Sequence, residues 1–357
     1  MAERFAAHGA ADIEEQYARL PGALLPWYAA NARALPWREN TDPYRVWLSE
    51  IMLQQTRVEA ATAYYRRFLG ALPTVEALAA APEEQLLKLW EGLGYYTRAR
   101  NLHRAAKIIA DERGGRFPDT FEGIRALPGI GDYTAGAIAS ISFELAEPAV
   151  DGNVLRILAR ILEDPSPADE KRKKEAARQL RAVYPPRGRR GAFTQALMEL
   201  GATVCAPGAP RCGNCPAAPF CFALRGGTQA LLPVRAAKKA RRVEERTVLL
   251  LLCGGRLALT KRPDEGMLRG MWQPPDMPGA LDAGAALAAA AGLGAAPLRC
   301  EALEPHRHVF THVEWDMRCY VVECGACAPG FTWETPAAVR AGYALPTAFR
   351  VFVDRLD

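Results

Sequence analysis

No apolar run in this 357-residue chain is long enough to cross a bilayer, so a membrane-spanning helix is not expected. The opening MAERFAAHGAADIEEQ lacks the apolar centre of a secretory signal, so export is not expected either. There is no internal repeat, and no low-complexity tract beyond a general richness in alanine, which leaves ordinary globular domains. Charge of one sign is not in great excess. The net charge of +5 is compatible with a polyanionic partner without demanding one. Disulfides are disfavoured as well. Nine cysteines is an odd number, and four of them sit together in a chain without an export signal. A reducing cytoplasm and a metal site are the expectation.

A chain of this length suits two domains, and with half its residues hydrophobic it can bury a sizeable core. From about Glu14 to Leu224 the apolar positions recur at helical spacing, with little β-branched alternation. TVEALAAAPEEQLLKLWEGLG and RNLHRAAKIIADERGG read as amphipathic helices that close on glycine. LPVRAAKKARRVEER then reads as a polar, basic linker. Its Arg235, Lys238, Lys239, Arg241 and Arg242 form a solvated run that can still meet phosphate electrostatically. After it the texture changes. RTVLLLLCGGRLALTKR looks like strand, glycine turn and strand, with TVLLLLCGG a buried strand. DAGAALAAAAGLG reads as a helix, and HVFTHVEWDMRCYVVEC alternates as a further strand. The expectation is a mainly α region over residues 14–232, a linker over 233–246, and a smaller α+β domain over 247–357.

Three motifs carry chemistry. WLSEIMLQQTRV (Trp47 to Val58) is a helix with an apolar arc of Trp47, Leu48, Ile51, Met52 and Val58. Glu50 falls off that arc close to Arg57, and Gln55 lands in its middle; a half-exposed helix with a frayed end fits equally well. The cysteines run C-x6-C-x2-C-x5-C, from Cys205 through Cys212 and Cys215 to Cys221. Zinc sites of four cysteines usually show two short pairs, and only one is present. Iron–sulfur clusters tolerate uneven spacing, which weighs toward a cluster and leaves zinc open. In LPGIGDYTAGAI, Pro128, Gly129 and Gly131 break the chain between two helices, the second beginning at Thr134, Ala135 and Gly136. Such a corner lets backbone N–H groups approach a phosphate, although ordinary helix corners look alike. In VDGNVLRILAR, Asp151 precedes a helix beginning near Val154. It can serve as a plain N-cap, and the helix dipole favours its ionised form.

Taken in order and spacing, Glu50 in its stretch, GLGYYTRARNLH, LPGIG, VDGNV and the cysteine quartet resemble the helix-hairpin-helix DNA glycosylases. Among these they resemble the adenine DNA glycosylases of the MutY type. The likeness is dense from about Leu35 to Cys221 and looser over the last hundred residues. It implies removal of adenine mispaired with 8-oxoguanine, and with guanine, from duplex DNA. It also implies a [4Fe-4S] cluster on Cys205, Cys212, Cys215 and Cys221. Glu50 is implied as the acid that protonates the leaving base. Asp151 is implied as the charge beside the sugar, bonding it transiently, with Tyr133 and Asn153 holding these groups. Gln54 and Gln55 are implied to fill the gap left by the flipped base, and Tyr95 to stack beside 8-oxoguanine, where a core tyrosine is the plainer reading. Arg38 is implied near the extruded adenine, where a solvated arginine is simpler. Leu53, Thr56 and Leu93 are implied as lesion-side contacts. Endonuclease III-like members carry a lysine two residues after the second hairpin glycine. Tyr133 stands there in this chain, so base excision without an efficient strand-cutting step is expected.

LALTKRPDEGMLRGMWQPPD resembles the Nudix-like fold attached to these glycosylases. A working Nudix hydrolase needs acids on a helix to hold magnesium, and the stretch from Ala283 to Cys300 contains none. Recognition rather than hydrolysis is expected of this domain. Phe310-Thr311-His312 stands where the family has an F-S-H loop that reads 8-oxoguanine. Threonine keeps the hydroxyl and adds a methyl. His306 and His308 read as exposed surface or phosphate contacts. Two rival readings remain: a pyrimidine-lesion glycosylase with lyase activity, and a non-catalytic mismatch binder. Tyr133 speaks against the first, and the presence of both Glu50 and Asp151 against the second. A bacterial, cytoplasmic, nucleoid-associated monomer is expected.

Overall fold

A computed structural model describes residues 5–234 and 240–356. The chain divides into two compact units: Met1–Ala81 with Arg100–Ala237, and Pro82–Ala99 with Lys238–Asp357. The first unit is helical, as the apolar spacing requires. Its elements begin with α1 (Ala10–Asn31), α2 (Pro43–Leu53), α3 (Val58–Ala71) and α4 (Val75–Ala80). After α5 (Glu83–Trp90), which belongs to the second unit, come α6 (Thr97–Arg113), α7 (Phe121–Arg125), α8 (Asp132–Phe143) and α9 (Gly152–Ile161). The helices α10 (Glu170–Ala182), α11 (Arg190–Thr203) and α12 (Phe222–Gly226) complete it. Its core joins Tyr17, Leu20 and Leu24 of α1 to Val154 and Leu158 of α9 and to Phe193, Leu197 and Leu200 of α11. No helix among the described residues is long and apolar enough to cross a membrane.

Two local expectations change. TVEALAAAPEEQLLKLWEGLG is two helices, α4 and α5, because Pro82 disfavours helical geometry at Ala81, which turns extended. The second expected helix holds, closing at Arg113 before Gly114 and Gly115, both with positive φ. The sequence division at residue 232 also needs correction. Residues 82–99 pack with the C-terminal unit, through contacts described below.

Helix α8 carries Ala135, Gly136, Ala137, Ala139 and Ser140, all buried, so neighbouring backbone comes close. A Cβ at Gly136 would stand 2.3 Å from the Pro148 carbonyl oxygen, in the segment that leads into Asp151. Gly136→Ala is expected to destabilise by about 1–3 kcal/mol through overpacking, read as a lowered Tm.

The second unit is a mixed sheet: β1 (Arg242–Cys253), β2 (Arg256–Lys261), β3 (Trp272–Gln273), β4 (Asp276–Pro278), β5 (Pro297–Val309), β6 (Val313–Cys324) and β7 (Thr332–Glu334). The order is β3-β2-β1-β6-β5, with β4 beside β1 and β7 beside β2; β1 and β6 run parallel. The run VLLLL is apolar throughout because β1 is covered on both faces. Val248 and Leu250 face a core with Phe349 and Phe352, from a helix pair α14 (Pro336–Gly342) and α15 (Thr347–Val353). Leu249 and Leu251 face Ala286 and Ala290 of α13 (Ala283–Gly292). The stretch HVFTHVEWDMRCYVVEC holds the expected strand, β6, preceded by the end of β5 and the hairpin turn between Val309 and Val313. Strand β1 begins inside the expected linker. Arg241 pairs with Glu314 and Arg242 with Glu244, whereas Arg235, Lys238 and Lys239 lie outside the described residues.

Candidate active site

Helix α2 is capped by Asp42, whose carboxylate accepts from the Tyr44 N–H, and every residue from Val46 to Met52 is buried. Glu50 is therefore not at a solvated edge beside Arg57, as its place off the apolar arc implied. Arg57 is exposed and opens α3, while Glu50 is 6% exposed against α8. The reason is packing. A helix held on all sides has no wet face, so its one acid must meet another polar group. That group is Tyr133, in the first turn of α8, whose hydroxyl donates to the Glu50 carboxylate.

Glu50 faces a cavity of about 230 Å³ whose walls include Arg38, Leu53, Thr56, Tyr133, Asp151 and Asn153. The Glu50 carboxyl is pushed up to about 7. Burial is the main cause; the Tyr133 hydrogen bond opposes it, the Asp151 charge adds to it, and Arg38 opposes it. Burial, then the charges of Glu50 and Asp151, raise the Tyr133 phenol well above its ordinary value. Asp151 lives differently. It caps α9, with Oδ1 accepting from the Asn153 and Val154 N–H groups at 2.9 and 2.8 Å. Its Oδ2 accepts from Asn153 Nδ2 at 2.8 Å, so the cap role and the cavity role coincide.

Arg38 is not a solvated arginine. It donates to Glu199 Oε2 at 2.7 Å, and Arg33 donates to the same carboxylate through Nε, Nη2 and its backbone N–H. Burial works to raise the Glu199 carboxyl, but the hydrogen bonds and charges of Arg33 and Arg38 outweigh it and hold it below its usual range. Arg33, Trp37, Ser49 and Gln195 also line the cavity and were not singled out by sequence. The available signal was Glu199 itself, the one acid inside the largely apolar α11.

Helix α2 ends at Leu53. Gln54 is its C-cap, and Gln55 is exposed with φ of +61°. The chain leaves the helix where the amides begin. Gly129 has φ of +78° and its missing Cβ would stand 2.6 Å from Asn101 Cβ, so the corner before α8 needs glycine. Gly131 caps α8 in extended geometry, and the helix starts at Asp132, two residues before Thr134.

In the second unit, Leu93 is buried and Tyr95 is exposed with φ of +48°. The Thr311 hydroxyl, on the hairpin tip with exposed His312, donates to the Tyr95 hydroxyl at 3.1 Å. Phe310 packs edge-on to Trp315 and His308. His306 and His308 are half-buried members of this aromatic row rather than bare surface groups. Burial, then His306, lowers the His308 imidazole.

Cys205, Cys212, Cys215 and Cys221 line one small, mostly apolar cavity with Ile157, Leu200 and Val204, and with Arg160 and Gln229 as its polar members. Burial pushes the thiols of Cys215 and Cys221 up to about 11, so thiolates there call for a cationic partner. No three histidine, cysteine or acidic side chains among the described residues converge closely enough to hold a single metal ion. Arg160 approaches Cys205 Sγ at 3.4 Å and donates to Ala206 O, while Arg156 donates to Cys205 O and Gly201 O.

Comparison with known proteins agrees with this layout. Residues 48–186 match the HhH-GPD superfamily base excision DNA repair proteins, and residues 247–355 match the NUDIX domain. The chain is 34% identical over 401 residues to the adenine DNA glycosylase of Mus musculus, covering 93% of this chain and 77% of that one. It is 36% identical over 313 residues to the adenine DNA glycosylase of Homo sapiens, covering 72% of this chain and 57% of that one. Among solved structures, a thermostable thymine-DNA glycosylase superposes with a TM-score of 0.54 at 25% identity, over 59% of this chain and 97% of its own.

Proposed function

Because this chain belongs to the adenine DNA glycosylases of the HhH-GPD superfamily, we propose that it excises adenine lying opposite 8-oxoguanine, or opposite guanine, in duplex DNA. One observation carries the mechanism: two carboxylates share one cavity under contrary influences, Glu50 buried and Asp151 ringed by N–H donors. Glycosidic cleavage passes through an oxocarbenium-like state and commonly uses such a pair. Adenine leaves poorly as an anion, so Glu50, protonated near neutral pH, gives its proton to a ring nitrogen. The Asp151 carboxylate stabilises the cationic sugar and bonds its carbon transiently. Glu50, now a carboxylate, takes a proton from the water that displaces Asp151. Asn153 fixes the Asp151 carboxylate, and Tyr133 fixes that of Glu50.

The base must leave the stack to reach this cavity. Gln54 and Gln55, at the end of α2, fill the gap and replace lost base-pair hydrogen bonds. The first-turn N–H groups of α8, behind Gly129 and Gly131, hold backbone phosphate. Arg38 meets the extruded adenine. Leu53 and Thr56 sit on the same cavity wall, and Leu93 on the lesion side. Tyr95 stacks beside 8-oxoguanine, an interaction worth ~1–3 kcal/mol, while Phe310, Thr311 and His312 approach the lesion from the hairpin tip.

The test is direct. Duplexes carrying adenine opposite 8-oxoguanine, guanine or thymine are incubated with the protein and probed for alkali-labile sites. Cleavage is expected with the first two, fastest with the first; equal rates on all three defeat the assignment. No lysine among the described residues lines the cavity, so borohydride is expected to trap no covalent adduct. A trapped adduct points to a lyase instead.

Cys205, Cys212, Cys215 and Cys221 hold a [4Fe-4S] cluster in this reading. A lone zinc at about 2.3 Å from each sulfur draws its thiolates tightly together. Thiolates spread around one cavity suit a larger centre, which braces the loop when bound. The purified protein is expected to be brown, with iron and sulfide in equal amounts. Cys205→Ala is expected to be colourless and to melt lower; a colourless wild type containing zinc overturns the assignment.

A further inference from the structure

The last turn of α5 holds polar contacts that the chemistry above does not use. Glu91, the C-cap, is 7% exposed. Its Oε1 accepts from the Leu345 N–H at 3.0 Å, and its Oε2 pairs with Lys88 at 2.7 Å and Arg350 at 3.1 Å. The Lys88 ammonium also donates to the carbonyls of Arg340 and Tyr343, at 2.6 and 3.0 Å, the first of them in the last turn of α14. All three ammonium donors are thereby used. Four residues beyond Glu91 comes Tyr95, held in left-handed geometry and bonded at its hydroxyl by Thr311. The span between them is tied to itself: Trp90 Nε1 donates to Gly94 O, and Arg98 donates to the carbonyls of Leu93 and Gly94. One end of this short loop is thus fixed by the helices α14 and α15, and the other by the β5–β6 hairpin.

We propose that Glu91 and Lys88 are positioning residues for lesion recognition, holding the Tyr95 loop on the C-terminal unit so that the aromatic ring is presented at a fixed height and angle. The C-terminal unit then acts on base choice by two routes, directly from the hairpin tip and indirectly through the anchored end of α5. An anchor that is buried, charged and saturated suits this task. Glu91 is buried while Lys88 and Arg350 stay partly exposed, so removing the carboxylate's charge unties two cations at once and loosens the loop's fixed end.

This inference rests on the reading of Tyr95 as the stacking group, and the test separates the two. Excision is measured on adenine opposite 8-oxoguanine and opposite guanine for wild type, Glu91→Gln, Tyr95→Ala and the double variant. Glu91→Gln keeps an acceptor for the Leu345 N–H and loses the charge. Its kcat/KM opposite 8-oxoguanine is expected to fall about ten- to a hundredfold, through KM, with a much smaller fall opposite guanine. The double variant is expected to be no worse than Tyr95→Ala alone, since both act on one ring. Lys88→Met removes the same tie from the other side and serves if Glu91→Gln does not fold. If Tyr95→Ala leaves the preference for 8-oxoguanine unchanged, the stacking reading fails. If Tyr95→Ala abolishes it while Glu91→Gln and Lys88→Met do not, or if the losses add, the positioning role fails. A fall in Tm with the preference intact leaves Glu91 merely structural and also overturns the proposal.

Discussion

Glu50→Gln is expected to abolish adenine excision while leaving duplex binding close to that of the wild type. Glutamine preserves the shape of the side chain and an acceptor for the Tyr133 hydroxyl, so the walls of the cavity stay in place. What it removes is the transferable proton. General acid–base contributions of this type are worth ~10²–10⁴ in rate. The wild type carries a second signature of the same assignment. The Glu50 carboxyl sits at about 7, well above an ordinary carboxylate, because burial penalises its charged form. If the proposed acid role holds, the working species is the protonated one, complete below that value and draining away above it. For the free enzyme, kcat/KM is expected to be level on the acid side and to fall tenfold per pH unit beyond about 7 as this group titrates. Single-turnover excision across the pH range, with binding followed separately by fluorescence anisotropy, checks both statements. Near-normal excision by Glu50→Gln would falsify the acid assignment.

Asp151→Asn is expected to cause the second great loss, for an electrostatic reason. An asparagine oxygen still accepts from the Asn153 and Val154 N–H groups, and asparagine caps helices about as well as aspartate. Helix α9 therefore keeps its start, and Tm is expected to move little. The negative charge facing the developing sugar cation is gone. Removing one preorganised stabilising group of this kind costs on the order of 10²–10³ in kcat, with transient bonding to the sugar lost besides. Asp151→Ala removes the cap as well, adding about 1 kcal/mol of destabilisation. The contrast between the two variants in calorimetry, set beside equal losses of excision, separates the structural duty of this carboxylate from its chemical one. Excision retained by Asp151→Asn assigns the charge elsewhere.

Much of the fold and of the cavity's lining was legible in the chain alone. Two carboxylates, a tyrosine in place of a lysine, four clustered cysteines and a helix that gives out at two amides are local patterns. Local patterns survive in one dimension. Non-local allegiances do not. Glu199 sits far along the chain from Arg33 and Arg38, and nothing in its neighbourhood names them as partners. Residues 82–99 look like any stretch of amphipathic helix, yet Glu91 and Lys88 meet groups beyond residue 339. The start of β1 was hidden for a different reason. Arg241 and Arg242 carry the charge of a linker, and pairing with the parallel β6, joined at Arg246 by β4, turns Arg242 to Arg246 into strand. The depth of Glu50 was underestimated because helical periodicity shows which residues share a face, and not how many faces are covered.

Helix α9 is ten residues long, about 15 Å from end to end. At its head it carries the carboxylate of Asp151, and along its flank Arg156 and Arg160 grip the loop of the four cysteines. It works as a single beam clamped at one side and loaded at its tip. Loosening of that clamp is expected to reach Asp151 before Glu50, which hangs from a different beam, α2. The two carboxylates that line one cavity thus lean on different supports: Asp151 on a helix tied to the cysteine loop, Glu50 on α2 packed against α8.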